Sequence, residues 1–400
     1  MVWIFLIKVH APKEDVKLRK YKKLKERNML EYDNFVKTHK ITSYDELIKI
    51  IHGKREWKDF RENYIFRGLK KSTYKLIPSS LRKNKKSDDF SINEFITKSE
   101  FKFYLNIDVE EVKKIDKYKE EFESLEDNGI IVFTVDKHEN PIETEYSYNI
   151  HSFNQLQFKR EVYVLLKFLN YSDKIGLRIN TNTYIRRWIH NALGYESENY
   201  GIWPEPEFYE LISLAQHNNL PTRALDWSYD PKIALYFAVE DILNGNESDC
   251  ILWAFNYKIF EDNYYIEPDK IADFTIYRPE YNINNNLKAQ KGLFTFLTTI
   301  DYQNLTDSAP FDEALIKLLI NGRSDYDKNI YKLDCFRKFK LDTNEKIFHK
   351  FIIKGNLKSE ILNELYIEGY SKETLFPSYD KVVESIKDRV KLNNKINSRD

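Results

Sequence analysis

Residues 214–238 constrain the fold of this 400-residue chain more than any other segment. The segment begins with polar and turn-forming residues and reaches Asp230 and Pro231. Asp is a favoured helix cap and Pro is favoured at the first helical position, so this pair predicts a helix start. Gly245 predicts the helix end. The apolar residues that fall on one face of this helix are Ile233, Ala234, Phe237, Ala238 and Ile242. We therefore expect a loop that leads into a helix packed on a core.

Composition places the chain among globular proteins, with 42% hydrophobic and 32% charged residues. Aromatic residues make up 15%, which predicts a core rich in Tyr and Phe. The formal net charge is zero, so no overall field directs the chain to nucleic acid or membrane, and any basic surface must be local. The two cysteines, Cys250 and Cys335, lack metal-ligand spacing and favour a reducing compartment, the cytoplasm, over a disulfide scaffold.

Two stretches near the beginning of the chain were candidates for targeting or binding. The apolar run at residues 2–7 is too short to span a bilayer and lacks the order of regions of a signal peptide, so we predict a buried strand there and no export. Residues 17–27 are basic with apolar residues interspersed. This pattern is typical either of a solvated helix face or of a contact with nucleic acid or a partner.

Local patterns predict further elements on both sides of the central helix. Ser43 with Glu46 fits a capping box for a helix that extends to about residue 52. Residues 63–66 predict a short strand with Arg67 and Gly68 at its end. Residues 86–152 carry mixed charge runs and are typical of an insertion. Helices are also predicted at 155–169, 207–215, 359–367 and after 377, and strands at 130–135, 250–255, within 290–299 and at 346–353.

Four separated segments carry recognisable motifs: residues 64–68 with 76–82, residues 216–238, residues 290–295 and the Leu-Phe-Pro sequence at 375–377. Together they resemble the FRG family, which is named for a Phe-Arg-Gly motif that stands here at residues 66–68. Their order and joint spacing carry the resemblance, which extends from about residue 41 to 385. The chain departs from the family pattern at Asn219, usually Gly, at Ala224, usually Leu, and at Ser228, usually Thr.

The resemblance implies an α+β fold similar to the ADP-ribosyltransferases, in which two split antiparallel sheets with surrounding helices grip NAD in a cleft. The implied organisation is a basic N-terminal extension at 1–40, an FRG domain at 41–385 with the insertion at about 86–152, and a polar tail at 386–400. Arg67 matches the Arg or His on the first strand of that fold, and Thr222 or Ser228 matches its hydroxyl residue. Gln290 occupies the place where many relatives of the fold carry a catalytic Glu.

Breaking the nicotinamide–ribose bond builds an oxocarbenium ion, so such a site must bind pyrophosphate and stabilise positive charge. Arg67 either binds phosphate bidentately or pairs with a carboxylate such as Asp226. Asp226 has two predicted roles in such a site: it accepts hydrogen bonds from a ribose hydroxyl, or it acts as a general base for the attacking group. The structural alternative is that it pairs with Arg223 or Arg67. The predicted catalytic residues are Arg67, His217, Asp226 and Gln290. The predicted NAD-binding residues are Arg67, Gly68, His217, Thr222, Arg223 and Ser228. No metal is expected.

Several roles in this prediction have a structural alternative. His217 either binds ribose or phosphate or is structural, and Trp227 is expected in the core rather than as a base-stacking platform. If Gln290 cannot supply negative charge, Asp226 or Glu240 is the candidate source. Residues 67–86 hold eight basic residues and no acidic one, which fits a polyanionic acceptor or a solvated surface. The basic residues expected to contact an acceptor are Lys70, Lys71, Lys75 and Arg82.

The function that the resemblance implies is transfer of ADP-ribose from NAD to a macromolecule, nucleic acid rather than protein. The implied setting is a bacterial toxin or phage-defence effector that an antitoxin-like protein keeps inactive, away from the membrane. Two alternatives stay open: hydrolysis of NAD without an acceptor, and a non-catalytic module that binds a nucleotide or nucleic acid.

Overall fold

The structure is a computed structural model that describes most of the chain. The described residues are 32–54, 57–82, 91–97, 100, 134–135, 141–142, 150–179, 183–186, 203–263, 274–281, 285–297, 310–321 and 346–397. The predictions for residues 2–7, residues 17–27 and Cys335 lie outside them. No helix in these ranges is long and apolar enough to cross a membrane.

Seven strands form one mixed sheet, and two short strands form a separate hairpin. The strands are β1 Val36–Ile41, β2 Tyr64–Leu69, β3 Thr134–Val135, β4 Pro141–Ile142, β5 Leu225–Ser228, β6 Cys250–Asn256, β7 Phe274–Tyr277, β8 Gly292–Leu297 and β9 Phe348–Ile353. The sheet order is β1-β9-β6-β2-β5-β8-β7, and β3 pairs with β4. β1 and β9 are parallel, whereas the other neighbours in the sheet are antiparallel.

Helices cover both faces of the sheet. They are α1 Tyr44–Ile51, α2 Phe60–Asn63, α3 Ile150–Lys174, α4 Tyr209–His217, α5 Pro231–Val239, α6 Lys258–Asn263, α7 Asn285–Ala289, α8 Phe311–Asn321, α9 Lys358–Ile367, α10 Lys372–Leu375 and α11 Tyr379–Asn397. The chain is therefore α+β, as predicted.

The two antiparallel sheets expected from the resemblance are joined into a single sheet. β2 pairs with β6 over six residue pairs, but it meets β5 only where Phe66 lies opposite Ser228. This single pair connects β1-β9-β6-β2 to β5-β8-β7, because β2 has a neighbour on each side. The sheet consequently has one weakly paired seam, between β2 and β5.

Alternate residues of β6 enter two different cores, one on each face of the sheet. Leu252 and Ala254 pack with α1, α5 and α9, whereas Trp253 and Phe255 pack with β5, β8 and α8. All seven residues of β6 are buried, which explains its unbroken apolar sequence. A third core joins α3 and α4 to β8. The largest of the fully buried side chains are mainly Phe, so the expectation of an aromatic core is confirmed chiefly for this residue.

The predicted helix starts are confirmed at both caps. The Ser43 hydroxyl accepts from the Glu46 amide at 3.3 Å, and the Asp230 carboxylate accepts from the Lys232 amide at 3.0 Å. The α5 helix continues as a short 3-10 turn to Gly245, whose φ is +82°. The Glu46 carboxylate accepts a hydrogen bond from the amide of Thr42, one residue before the cap.

Several predicted boundaries differ from the structure. The boundary at residue 40 falls inside β1, which is held by β9, and the tail predicted from 386 falls inside α11, where Leu392 is buried. α3 begins at Ile150, within the predicted insertion, because its helical pattern extends before residue 155. β2 extends to Leu69, so Arg67 and Gly68 lie within the strand and pair with β6.

Candidate functional site

A cavity of about 730 Å³ opens beside the seam between β2 and β5, and we call it the β2–β5 cavity. This volume lies in the range typical of small-molecule sites. Polar lining residues are Arg67, Lys70, Thr73, Lys75, Arg82, Gln216, His217, Asn219, Asp226, Ser228 and Gln290. Apolar and aromatic lining residues include Tyr74, Ile77, Ile233, Phe237, Leu287, Phe294 and Phe376. Residues distant in sequence thus meet at this seam.

Arg67 and Asp226 form an ion pair across the seam. The Arg67 Nη1 donates both to the backbone carbonyl and to the carboxylate of Asp226. The Arg67 side chain therefore joins β2 and β5 just where their backbone pairing stops. The Arg67 side chain is 10% exposed, whereas that of Asp226 is 54% exposed and open to the cavity. Of the pairings predicted for Asp226, the structure contains the one with Arg67.

Unfilled hydrogen-bond donors surround this ion pair. The Arg67 Nε is buried without a partner in the described part of the chain. Arg82 uses its Nε to donate to the Ile77 carbonyl at 2.8 Å, and among the described residues its terminal nitrogens have no partner. Because a guanidinium binds best when several of its donors are engaged, these groups can bind an anion within the cavity.

The electrostatics of the cavity favour a negatively charged ligand. Burial raises the pKa of the Asp226 carboxyl, but the charge and hydrogen bond of Arg67, with the charge of Arg82, outweigh this and hold the pKa below its usual value. Burial and the neighbouring Arg67 charge lower the pKa of Arg82 to about 10, so it stays protonated at neutral pH. Two guanidinium groups thus face one carboxylate and leave an excess of positive charge.

His217 lies at the end of α4 and faces the same space. Burial lowers the pKa of its imidazole, and the Asp226 charge offsets part of this effect. The ring is therefore neutral near pH 7. Its Nε2 is buried and has no partner within the described ranges. An unpaired buried imidazole nitrogen is available for a ligand hydroxyl.

Gly68 lines the cavity, but helix packing explains why this residue is a glycine. A Cβ at this position would lie 1.9 Å from the Ala234 carbonyl oxygen and 2.8 Å from the Ala238 amide nitrogen. Only glycine allows α5 to pack so closely on β2. Gly68 can therefore make its predicted NAD contact only through its backbone.

Ser228 and Gln290 hold three segments together at the edge of the cavity. The Ser228 hydroxyl donates to the Gln290 carbonyl at 2.8 Å and accepts from the Asp230 amide at 3.0 Å. The Gln290 Nε2 donates to the Leu375 carbonyl at 3.1 Å. The Ser228 hydroxyl, predicted to bind NAD, and the side-chain nitrogen of Gln290, predicted to be catalytic, are thus engaged within the protein.

Thr222 and Arg223 lie outside the β2–β5 cavity. The Thr222 hydroxyl donates to Gln216 at 2.7 Å and so orders the turn before β5. Arg223 is 5% exposed and its Nε donates to the Glu161 carboxylate of α3 at 2.9 Å. Arg223 therefore extends into the protein interior and away from the predicted NAD contact.

The basic residues near the cavity are partly neutralised. Lys70 pairs with Glu240 at 2.9 Å, and Lys75 pairs with Glu313 at 3.6 Å. Lys70, Lys75 and Arg82 line the cavity, whereas Lys71 does not. Glu240, considered as a source of negative charge, is engaged by Lys70 and is not among the lining residues.

Phe237, Phe376 and Asn219 are among the lining residues that were not predicted as site residues. Phe237 was assigned to the core face of α5, and Phe376 was noted only within its motif. Asn219 has φ +65°, a left-handed conformation that Asn tolerates, which explains why it can replace the usual Gly. Trp227 lies in the core as expected, 3% exposed, with its Nε1 donating to the Thr295 hydroxyl at 2.9 Å.

The FRG domain family model matches residues 165–247. The match includes α4, β5 and α5, and therefore His217 and Asp226, and it supports the assignment of an FRG domain. The Phe66-Arg67-Gly68 motif lies outside the matched residues. No curated protein and no solved structure matches the chain.

Proposed function

We propose that the chain is an NAD-dependent ADP-ribosyltransferase whose reaction takes place in the β2–β5 cavity. The observation that carries this proposal is the Arg67–Asp226 pair, with unfilled donors on Arg67 and Arg82 around it. In this proposal the two guanidinium groups bind the diphosphate of NAD. Its negative charge offsets the excess positive charge of the cavity and fills the donors that the protein leaves unpaired.

Asp226 is the residue proposed to stabilise the transition state. As the bond between nicotinamide and C1′ of the ribose breaks, nicotinamide leaves with the bonding electrons and C1′ becomes positively charged. Asp226, the carboxylate among the described lining residues, stays ionised at neutral pH because of Arg67. The acceptor then attacks C1′ and releases its proton to Asp226 or to solvent. His217, as a neutral imidazole, binds a ribose hydroxyl.

The proposed acceptor is a macromolecule, with nucleic acid preferred to protein. Lys70, Lys75 and Arg82 line the cavity and Lys71 is adjacent to Lys70 in sequence, so this segment supplies positive charge for a polyanion. The setting as a toxin or phage-defence effector under an inhibitory protein is proposed from the family resemblance. NAD hydrolysis is the second candidate, because the carboxylate of Asp226 is half exposed and water can reach it.

The test is incubation of the purified protein with NAD labelled on the adenylate, with RNA, DNA and cell-extract protein supplied separately. Arg67→Ala is expected to lower kcat/KM about 100-fold or more, since it removes a guanidinium that binds the diphosphate and leaves Asp226 without its partner; truncating one member of a hydrogen-bonded charge pair costs about 2–5 kcal/mol. Arg61→Ala, at an exposed arginine just before β2, is the matched control and should keep full activity.

The outcomes separate the candidate functions. A labelled acceptor that disappears in Arg67→Ala supports the transferase and names its substrate class. Free ADP-ribose without a labelled acceptor supports hydrolysis. Intact NAD throughout contradicts both activities and leaves a binding module.

A further inference from the structure

The β2–β5 cavity has an aromatic wall apart from its charged residues. Phe237 of α5 and Phe376, just after α10, both line the cavity and are half buried. Their ring centroids lie 6.0 Å apart with an interplanar angle of 80°. Ile233 and Ala234 of α5 also line the cavity but are buried, so Phe237 is the lining residue of this helix whose side chain is partly exposed.

A chain of hydrogen bonds fixes Phe376 relative to the sheet. The Ser228 hydroxyl of β5 donates to the Gln290 carbonyl, and the Gln290 side chain donates to the Leu375 carbonyl. Leu375 itself is 2% exposed and anchors the end of α10 in the core. Gln290 thus reaches the backbone directly before Phe376, and its side-chain nitrogen is engaged there.

We infer that Phe237 and Phe376 bind the planar base of a nucleotide, and that Gln290 is a positioning residue that holds Phe376 in place for it. This inference rests on the proposed function for the sugar-phosphate end of the ligand, beside Arg67 and Arg82. A nucleotide combines an anionic part with a flat aromatic part, and the cavity offers a cationic part and an aromatic wall. Stacking on aromatic side chains is a general means of binding bases.

Equilibrium binding to the full-length protein tests the base site without requiring turnover. The probes are AMP, NMN and ribose 5-phosphate, which share a sugar phosphate and differ in the base, and the method is titration calorimetry. AMP or NMN is expected to bind the intact protein about tenfold or more tightly than ribose 5-phosphate. The base is adenine if AMP shows this tighter binding and nicotinamide if NMN shows it.

Phe376→Ala and Phe237→Ala are expected to abolish that preference and to leave the affinity for ribose 5-phosphate within about twofold. Phe376→Leu keeps apolar volume without the ring and tests the same point if the alanine variant fails to fold. Phe376→Tyr should retain the preference. Tyr379→Ala, at an aromatic residue that is 95% exposed, is the matched control.

Gln290 is tested through a double-mutant cycle. Gln290→Glu removes the donor to Leu375 with little change in size and should reduce the base preference as Phe376→Ala does. If Gln290 acts through Phe376, the double variant Gln290→Glu/Phe376→Ala should lose no more than Phe376→Ala alone. Additive losses would instead place Gln290 on the ligand and overturn its positioning role.

The binding experiments distinguish failure of the base site from failure of the proposed function. Equal affinity of the intact protein for all three probes, or a base preference that survives in both phenylalanine variants, overturns the base site even if NAD is consumed. A base preference lost in the variants supports the base site even if NAD stays intact.

Discussion

Phe66, Arg67 and Gly68 are consecutive residues of β2 with three different surroundings. Phe66 is fully buried under α5, Arg67 spans the seam to Asp226, and Gly68 admits the backbone of α5. The strand alternation separates Phe66 from Arg67, and the absence of a side chain at Gly68 brings the helix close. The motif combines a core anchor, a cavity charge and a close backbone approach.

Gly68→Ala is expected to destabilise the protein by about 3 kcal/mol, because the new Cβ meets backbone atoms of α5 that cannot rotate away. Urea unfolding measures the change. The control is Gly369→Ala, where φ is +88° and no atom lies within 4 Å of the added Cβ. Only the backbone strain of about 1–2 kcal/mol applies there. Equal losses in the two variants would contradict the packing argument.

The parallel pair β1 and β9 contains an imidazole pair at one edge of the sheet. The His39 Nε2 and the His349 Nδ1 are 2.9 Å apart, and the Tyr64 hydroxyl lies 3.3 Å from the other nitrogen of His349. Both rings pack with Phe351. Burial and the nearby positive charges of His39, Lys37 and Lys346 lower the pKa of His349 to about 3.

This pair predicts acid sensitivity of the β1–β9 edge. The unfolded chain protonates His349 near its ordinary pKa of about 6.5, whereas the folded protein resists protonation until about pH 3. Stability therefore falls as pH decreases through this window. His349→Gln should flatten the dependence of the unfolding free energy on pH there, as measured by urea unfolding from pH 4 to 8. His52 is exposed and its pKa is also lowered by burial, so His52→Gln should flatten the slope less than His349→Gln does.

Across the whole molecule, one buried carboxylate joins segments that are far apart in sequence. Glu161 of α3 accepts from the Ser80 hydroxyl at 2.8 Å, the Trp203 Nε1 at 2.7 Å and the Arg223 Nε at 2.9 Å. These partners belong to the segment after β2, the segment before α4 and the turn before β5. Through these hydrogen bonds Glu161 stabilises two segments that border the β2–β5 cavity.

Glu161→Gln is expected to destabilise the protein by about 3–5 kcal/mol, because it removes one charge from a buried ion pair with Arg223. Urea unfolding at neutral pH checks this. Glu384→Gln is the matched control, since Glu384 pairs with Lys381 on the exposed face of α11 and should contribute little. A Glu161 variant as stable as the control would show that Arg223 does not depend on this pair.

Local patterns in the sequence were sufficient to predict the α+β class, the helix caps at Ser43 and Asp230 and the buried strand β6. These features depend on residues within one or two turns of each other, so composition and spacing determine them. The sequence also selected residues 216–228 and the Phe-Arg-Gly motif as the places where a site would form.

Only the tertiary structure decided which of those residues share the cavity. It brings Arg67 to Asp226 and Gln290 to Leu375, whereas Arg223, three residues before Asp226, extends to Glu161. Arg223 lies in the turn before β5, whereas Asp226 lies within the strand, and the partners of both side chains come from elements that lie 60 or more residues away in sequence. The side chains of the site were therefore identifiable from the sequence, but their partners depended on how the strands and helices pack.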